Sequence, residues 1–255
     1  MFEAVMMAST GLQNQQRRID NIADNIANVN TVGFKGARLD FKDALYTAGF
    51  GPAVTPEGNQ QKGHGVMVAQ ITKQFLPGSM VTTESMLDFA IEGDGFFELR
   101  DPFGNQLYTM SGNFYMSNSE NGMIVVNSSG MPVMNADGQE IHIPEGTTKI
   151  NVSQQGEIEF IHGDEVSYDR FGLYNFQNKN GLSSVGGSNY RETEASGEKS
   201  DAVSARLTQG SLESSNVDMA TEMVRLIRAN RAFSLASSAL RTADDMEGIA
   251  NNLRR

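Results

Sequence analysis

Residues 11–35 read GLQNQQRRIDNIADNIANVNTVGFK, and the fold turns on this stretch. Val5, Leu12, Ile19 and Ile26 recur at every seventh residue, and Ala8, Gln15, Ile22 and Val29 follow each of them by three. That is the narrow apolar seam of a coiled-coil helix. The spacing predicts a helix from near Phe2 to Asn28, stopped at Asn30, Thr31 and Gly33, residues suited to a left-handed cap and a turn. Such a helix would be roughly 40 Å long. A seam needs a partner, and the next one lies at the far end of the chain. There Met219, Leu226, Phe233 and Leu240 repeat the spacing, and Ala243, Met246, Ala250 and Leu253 continue it after a small phase shift. The two terminal helices are therefore expected to meet.

The polar side of the first helix carries Asn14, Asn21 and Asn28 in one row, with Asn25 beside them, where a soluble surface helix would carry Glu and Lys. Asparagine costs a helix about 0.5 kcal/mol relative to alanine. Either the row is an ordinary solvated face, or other protein pairs its amides. The second helix is expected to open at Ser215 and Asp218, spaced as a capping box, and to continue to about Leu253. Besides its seam it carries Ala220, Val224, Ile227, Ala232, Leu235 and Ala239, an apolar surface wider than one partner helix covers.

Between the helices the pattern changes. Residues 31–65 lack sustained periodicity, and Gly, Pro and Gln enrich the part from Gly49 to Gly65, which is linker composition. From Val66 onward short alternating segments predict antiparallel strands: Leu87, Phe89 and Ile91; Tyr108 and Met110; Phe114 and Met116; Ile141 and Ile143; Ile150 and Val152; Ile158 and Phe160. Gly95, Gly112, Gly122, Gly130, Gly138 and Gly156 fall between them, where tight hairpins need positive φ. The class is thus α+β. Residues 1–30 and 211–255 form a helical coiled-coil domain and 31–65 a linker stretch. Residues 66–136 and 169–210 form the main β domain, and 137–168 a small inserted β subdomain.

Composition excludes several functions. A net charge of −11 and a pI near 4.7 disfavour nucleic acid and anionic membranes as partners. Without cysteine there are neither disulfides nor thiolate metal sites. His64, His142 and His162 are scattered and lack metal-ligand spacing. Neither a dinucleotide fingerprint nor a phosphate loop is found. Asp88, Glu92 and Asp94, and likewise Asn135, Asp137 and Glu140, could be drawn as calcium ligands or as a glycosidase carboxylate pair, but alternation and Asp-Gly turns account for them as strand and hairpin residues. No enzyme, cofactor or small-molecule substrate is expected. The N-terminus lacks a basic region leading into an apolar run, so no cleaved signal peptide is expected either.

The run TGLQNQQRRIDNIADNIANVNTVGFKGAR resembles the N-terminal signature of the flagellar basal-body rod and hook proteins, and residues 211–253 are similar to their C-terminal signature. AIEGDGFFEL at 90–99 and YTMSGNFYMSNSENGMIVVNSSGMPV at 108–133 resemble the family's central block. Within the family the distal-rod type is nearest and the proximal-rod paralogues next, although Tyr46–Gly65 is shorter than the distal-rod pattern. The resemblance implies a structural subunit that polymerises into a tubular drive shaft between motor and hook. Its partners would be copies of itself, other rod and hook proteins, and the flagellar type III export apparatus. Assembly would run through Val5, Leu12, Ile19, Ile22, Ile26, Asn14, Asn21, Asn28, Met219, Leu226, Phe233 and Leu240. Two rival readings are an exported cell-wall hydrolase using the acidic loops and a soluble coiled-coil adaptor closed by its terminal helices.

Overall fold

The computed structural model describes residues 2–44, 47–48, 61–62, 65–119, 122–163 and 165–253. The chain is α+β, with a long helix at each end and antiparallel strands between. It divides into two compact units. Unit one is Met1–Ala27, Ala37–Gln74 and Asp218–Arg255; unit two is Asn28–Gly36 and Phe75–Val217.

In unit one, helix α1 (Phe2–Ala27) touches helix α2 (Met219–Leu253) and packs on an antiparallel strand pair, Ala37–Asp43 with Val66–Lys73. This pair differs from the sequence expectation, which put 31–65 in a linker and began the main β domain at Val66. ARLDFKD is a strand because Leu39 and Phe41 alternate with polar residues, which gives it a half-buried side. Val66–Lys73 folds back on it from Ala37↔Lys73 to Asp43↔Val66, with a bulge between Asp40 and Phe41. Two more short strands, Thr47–Ala48 and Gln61–Lys62, pair inside the expected linker. Residues 45–46, 49–60 and 63–64 of that linker lie outside the described residues.

Unit two is built on a six-stranded antiparallel sheet in the order Ser183–Gly186, Asn189–Arg191, Gln106–Thr109, Phe96–Arg100, Leu173–Asn175, Ser200–Asp201. The run Phe96-Phe97-Glu98-Leu99 explains its central place, since a strand buried on both faces carries apolar residues on both sides of the pleat. Phe97, Leu99 and Leu107 enter one core, and Phe96 and Tyr108 the other. Edge-to-face ring pairs fill both: Phe97 on Phe114 and Phe171, Phe96 on Phe176 and Tyr190. Glu98 is wholly buried on the second face, where Lys199 reaches it at 2.9 Å while sitting over the Tyr174 ring. Burial first, and the Glu98 charge after it, pushes the Tyr108 and Tyr174 hydroxyls up.

Three details depart from the sequence reading. Ile150, Ile158 and Phe160 join the same core as Phe97 and Leu99, so 137–168 shares the core of the main β unit. Gly122, Gly130, Gly138 and Gly156 do take positive φ, but Gly95 and Gly112 do not. Gly112 is held to glycine by proximity instead: a Cβ there would lie 1.9 Å from the Phe89 carbonyl oxygen. At α2 the cap is Asp218 itself rather than Ser215, because its carboxylate accepts the N–H groups of Ala220 and Thr221, both at 3.2 Å. Ser215 takes the Val217 N–H, at 3.3 Å.

Candidate assembly surface

The expected assembly residues all lie on the helices of unit one or the turn that follows α1, and their burial is uneven. Ile22 is buried, whereas Val5, Leu12, Ile19 and Ile26 are half-buried. On α2, Leu226, Phe233 and Leu240 are half-buried and Met219 is exposed. The two buried residues among those described on α2 are Glu222 and Ala229, seven apart and interleaved with the Leu226 row at heptad spacing. Sequence reading missed Glu222 because a carboxylate is a poor seam residue. Arg225, one turn on, compensates it, with Nη1 at 2.5 Å from Oε1.

The asparagine row is not a solvated face. Asn14 and Asn25 are buried, Asn21 and Asn28 half-buried. Asn14 donates to the Val66 carbonyl and Asn25 bonds Ala37 through both its amide groups, so the strand pair of this same chain supplies partners for part of the row. Asn28 accepts from the Thr31 hydroxyl at 3.2 Å and holds the turn after the helix.

Beside Ile22 lies a hollow of about 350 Å³ lined by Arg18, Asn21, Arg38, Glu222 and Arg225. Its charges are largely matched internally: Arg38 grips Asp40 at 3.0 Å, Arg225 holds Glu222, and Arg18 lies over the Phe41 ring. Burial pushes the Lys73 ammonium down, with the Asp24 charge opposing. The hollow thus presents no concentrated charge to a ligand.

The far side of α2 is different. Val224, Ile227, Leu235 and Ile249 are 48%, 54%, 72% and 61% exposed, and Met219, Met223 and Met246 are exposed with them. Several apolar side chains left exposed on one helix are the pattern that interaction surfaces show.

Three of the acidic groups weighed for chemistry, Asp88, Glu92 and Asp94, have structural partners. Asp88 accepts from the Thr83 hydroxyl at 2.7 Å, Asp94 pairs with Lys179, and Glu92 accepts from Thr208. Asn135 takes the N–H groups of Asp137 and Gln139 and shapes the hairpin there. His142 and His162 sit in separate strands, and His64 lies outside the described residues. Among the described residues no group of three or more His, Asp or Glu side chains is placed to hold a metal ion.

Long terminal helices joined to an antiparallel β unit, with apolar side chains left exposed on α2, define a class of α+β protein. Family models place the chain more closely. Residues 7–35 match the flagella basal body rod protein model, 90–160 the flagellar hook protein FlgE/F/G D1 domain, and 208–253 the flagellar basal body rod FlgEFG protein C-terminal region. The chain is 36% identical to the flagellar basal-body rod protein FlgG of Borreliella burgdorferi, over 100% of both chains. It is 35% identical to FlgG of Buchnera aphidicola subsp. Schizaphis graminum, over 96% of this chain and 97% of the relative, and 32% identical to FlgG of Bacillus subtilis, over 100% of both. The chain belongs to the flagellar basal-body rod protein family, and within it to the FlgG type.

Proposed function

We propose that this chain is a structural subunit of the distal flagellar rod, polymerising with itself into a tubular drive shaft that transmits torque from motor to hook. The carrying observation is the exposed face of α2: Val224, Ile227, Leu235 and Ile249 stay largely in solvent in the single chain, and burial by neighbouring subunits would account for their being apolar. Each such side chain buried contributes roughly 1.5–3 kcal/mol, and a helical polymer repeats that gain at every subunit. On this reading α1 and α2 pair as a coiled coil through Leu12, Ile19, Ile22 and Ile26 against Leu226, Phe233 and Leu240. The wider face of α2 then meets other subunits, and the rod joins other rod and hook proteins at its ends. Chains of this family are structural rather than catalytic, and their place is the flagellar basal body. No helix among the described residues is long and apolar enough to cross a membrane. On the same reading, export falls to the flagellar type III apparatus.

The test is location and need. A strain lacking the gene should be non-motile with basal bodies that stop short of the hook, and a tagged copy should be recovered in isolated rods. Normal rods in the deletion strain would refute the proposal.

A further inference from the structure

Lys35 is fully buried in unit two, where its ammonium donates to the Glu213 carboxylate at 2.6 Å and to the Leu76 carbonyl at 2.9 Å. The same carboxylate oxygen accepts the Gly78 N–H at 2.6 Å. Asn216 accepts the Gly36 N–H at 2.8 Å and donates to the Leu76 carbonyl at 3.1 Å. Backbone bonds run alongside, from Gly33 N–H to the Glu213 carbonyl at 2.8 Å and from Asn216 N–H to the Phe34 carbonyl at 3.4 Å. Residues 33–36, 76–78 and 213–216 are thereby tied together. The covalent connections between unit two and the rest of the chain follow Ala27, Gly36, Gln74 and Val217. The last three of these lie within two residues of Lys35, Leu76 and Asn216 respectively.

The direction of the segments matters. Partner positions rise from Glu213 to Asn216 as they rise from Gly33 to Phe34, so the two stretches run the same way. A pull that enters at Asn28 and leaves at Val217 slides one stretch along the other. All the cross-links then carry the load at once instead of being peeled singly. The chemistry suits that loading, since hydrogen bonds are short-range and directional whereas apolar contacts are not. For equilibrium stability alone an apolar pair would have served as well as a buried ion pair.

We propose that Lys35, Glu213 and Asn216 form a shear clamp that bears mechanical load where the chain enters and leaves unit two. Its use in a torque-bearing rod rests on the function proposed above; the clamp itself does not.

The chain has no cysteine, so attachment points for single-molecule pulling can be introduced uniquely. Full-length protein carrying Asn30→Cys with Val217→Cys is pulled along the clamp, and Asn30→Cys with Phe103→Cys is pulled in another direction. Lifetime at constant force should be longer along the clamp. In Lys35→Met/Glu213→Leu the ratio of the two lifetimes should fall about tenfold, as expected from losing charge-assisted hydrogen bonds from the barrier. Because the ratio is read within each variant, general destabilisation cancels. A ratio unchanged in the double variant overturns the proposal. Should that variant not fold, Asn216→Ala, which deletes two side-chain cross-links without stranding a charge, is read in the same way. The measurement uses isolated chains, so failure of the rod assignment would leave its outcome untouched.

Discussion

Asn25 holds Ala37 by both of its backbone groups: Nδ2 donates to the carbonyl at 2.9 Å and Oδ1 accepts the N–H at 2.8 Å. Among the described residues strand Ala37–Asp43 has a sheet partner on one side, Val66–Lys73, and Asn25 meets it from the other. The amide of Asn25 stands in for a strand partner at the first residue of that side. This explains why an uncharged amide, not Glu or Lys, occupies a helix position of low intrinsic propensity.

Removing that amide should therefore be costly. Asn25→Ala leaves the Ala37 N–H and carbonyl buried without this partner, an expected loss of about 2–4 kcal/mol. Asn25→Asp keeps the acceptor but turns a carboxylate oxygen toward the Ala37 carbonyl, and should be no milder. Denaturant unfolding reads the loss, and amide exchange locates it: the Ala37 N–H should exchange faster in both variants. Unchanged exchange there would show that the pair contributes nothing.

Much of this was legible in the sequence. Both terminal helices follow from seven-residue spacing, and the central strands from alternation such as Leu87, Phe89 and Ile91, because each pattern records which side of an element is buried. The spacing of the asparagine row does not say what pairs its amides, because strand Ala37–Asp43 supplies a partner. That strand was hidden because Leu39 and Phe41 are too few to stand out beside Gly33 and Gly36. Glu222 and the Lys35–Glu213 pair were invisible for a different reason: a buried charge is explained only by its partner, and that pair is separated by 178 residues. Periodicity reports burial, not pairing.

Glycines required by proximity and by conformation should respond differently. Gly112→Ala places a Cβ against the Phe89 carbonyl, where backbone must move, and should cost about 3 kcal/mol or more. Gly138 has φ +73° and open space around its Cβ position, so Gly138→Ala should cost roughly 1–2 kcal/mol. Chemical denaturation of the two variants tests the order. Equal losses would mean that the close approach at Gly112 relaxes freely.

The cap of α2 should titrate. Hydrogen bonds from the Thr221 hydroxyl, and then from the Thr221 and Ala220 N–H groups, hold the Asp218 carboxyl below its ordinary value of 3.8. A carboxyl with a lowered folded-state value favours folding in full above 3.8, and that contribution is lost as the pH falls through the lowered value. On acidification below 3.8 the amide resonances of Ala220 and Thr221 should move together and the first turn of α2 should loosen. In Asp218→Asn this pH dependence should vanish. A titration that persists in the variant would assign it to another group.

The last prediction separates the two sides of α2. Leu226 is half-buried within the chain, so an aspartate there strands a carboxylate against apolar neighbours and destabilises the subunit as well as any polymer. Loss of assembly in Leu226→Asp would therefore be ambiguous. Ile227, the next residue, turns its side chain mostly to solvent in the single chain, and Ile227→Asp should change subunit stability by no more than about 0.5 kcal/mol. In a polymer the same side chain would be covered by a neighbour, and the substituted carboxylate would lose its water at every repeat of the helix. Ile227→Asp should thus melt like the parent protein yet fail to support motility, with the variant absent from isolated rods. Motile cells with the variant in normal rods would show that this face of α2 stays exposed after assembly, and the surface assigned to neighbouring subunits would have to lie elsewhere.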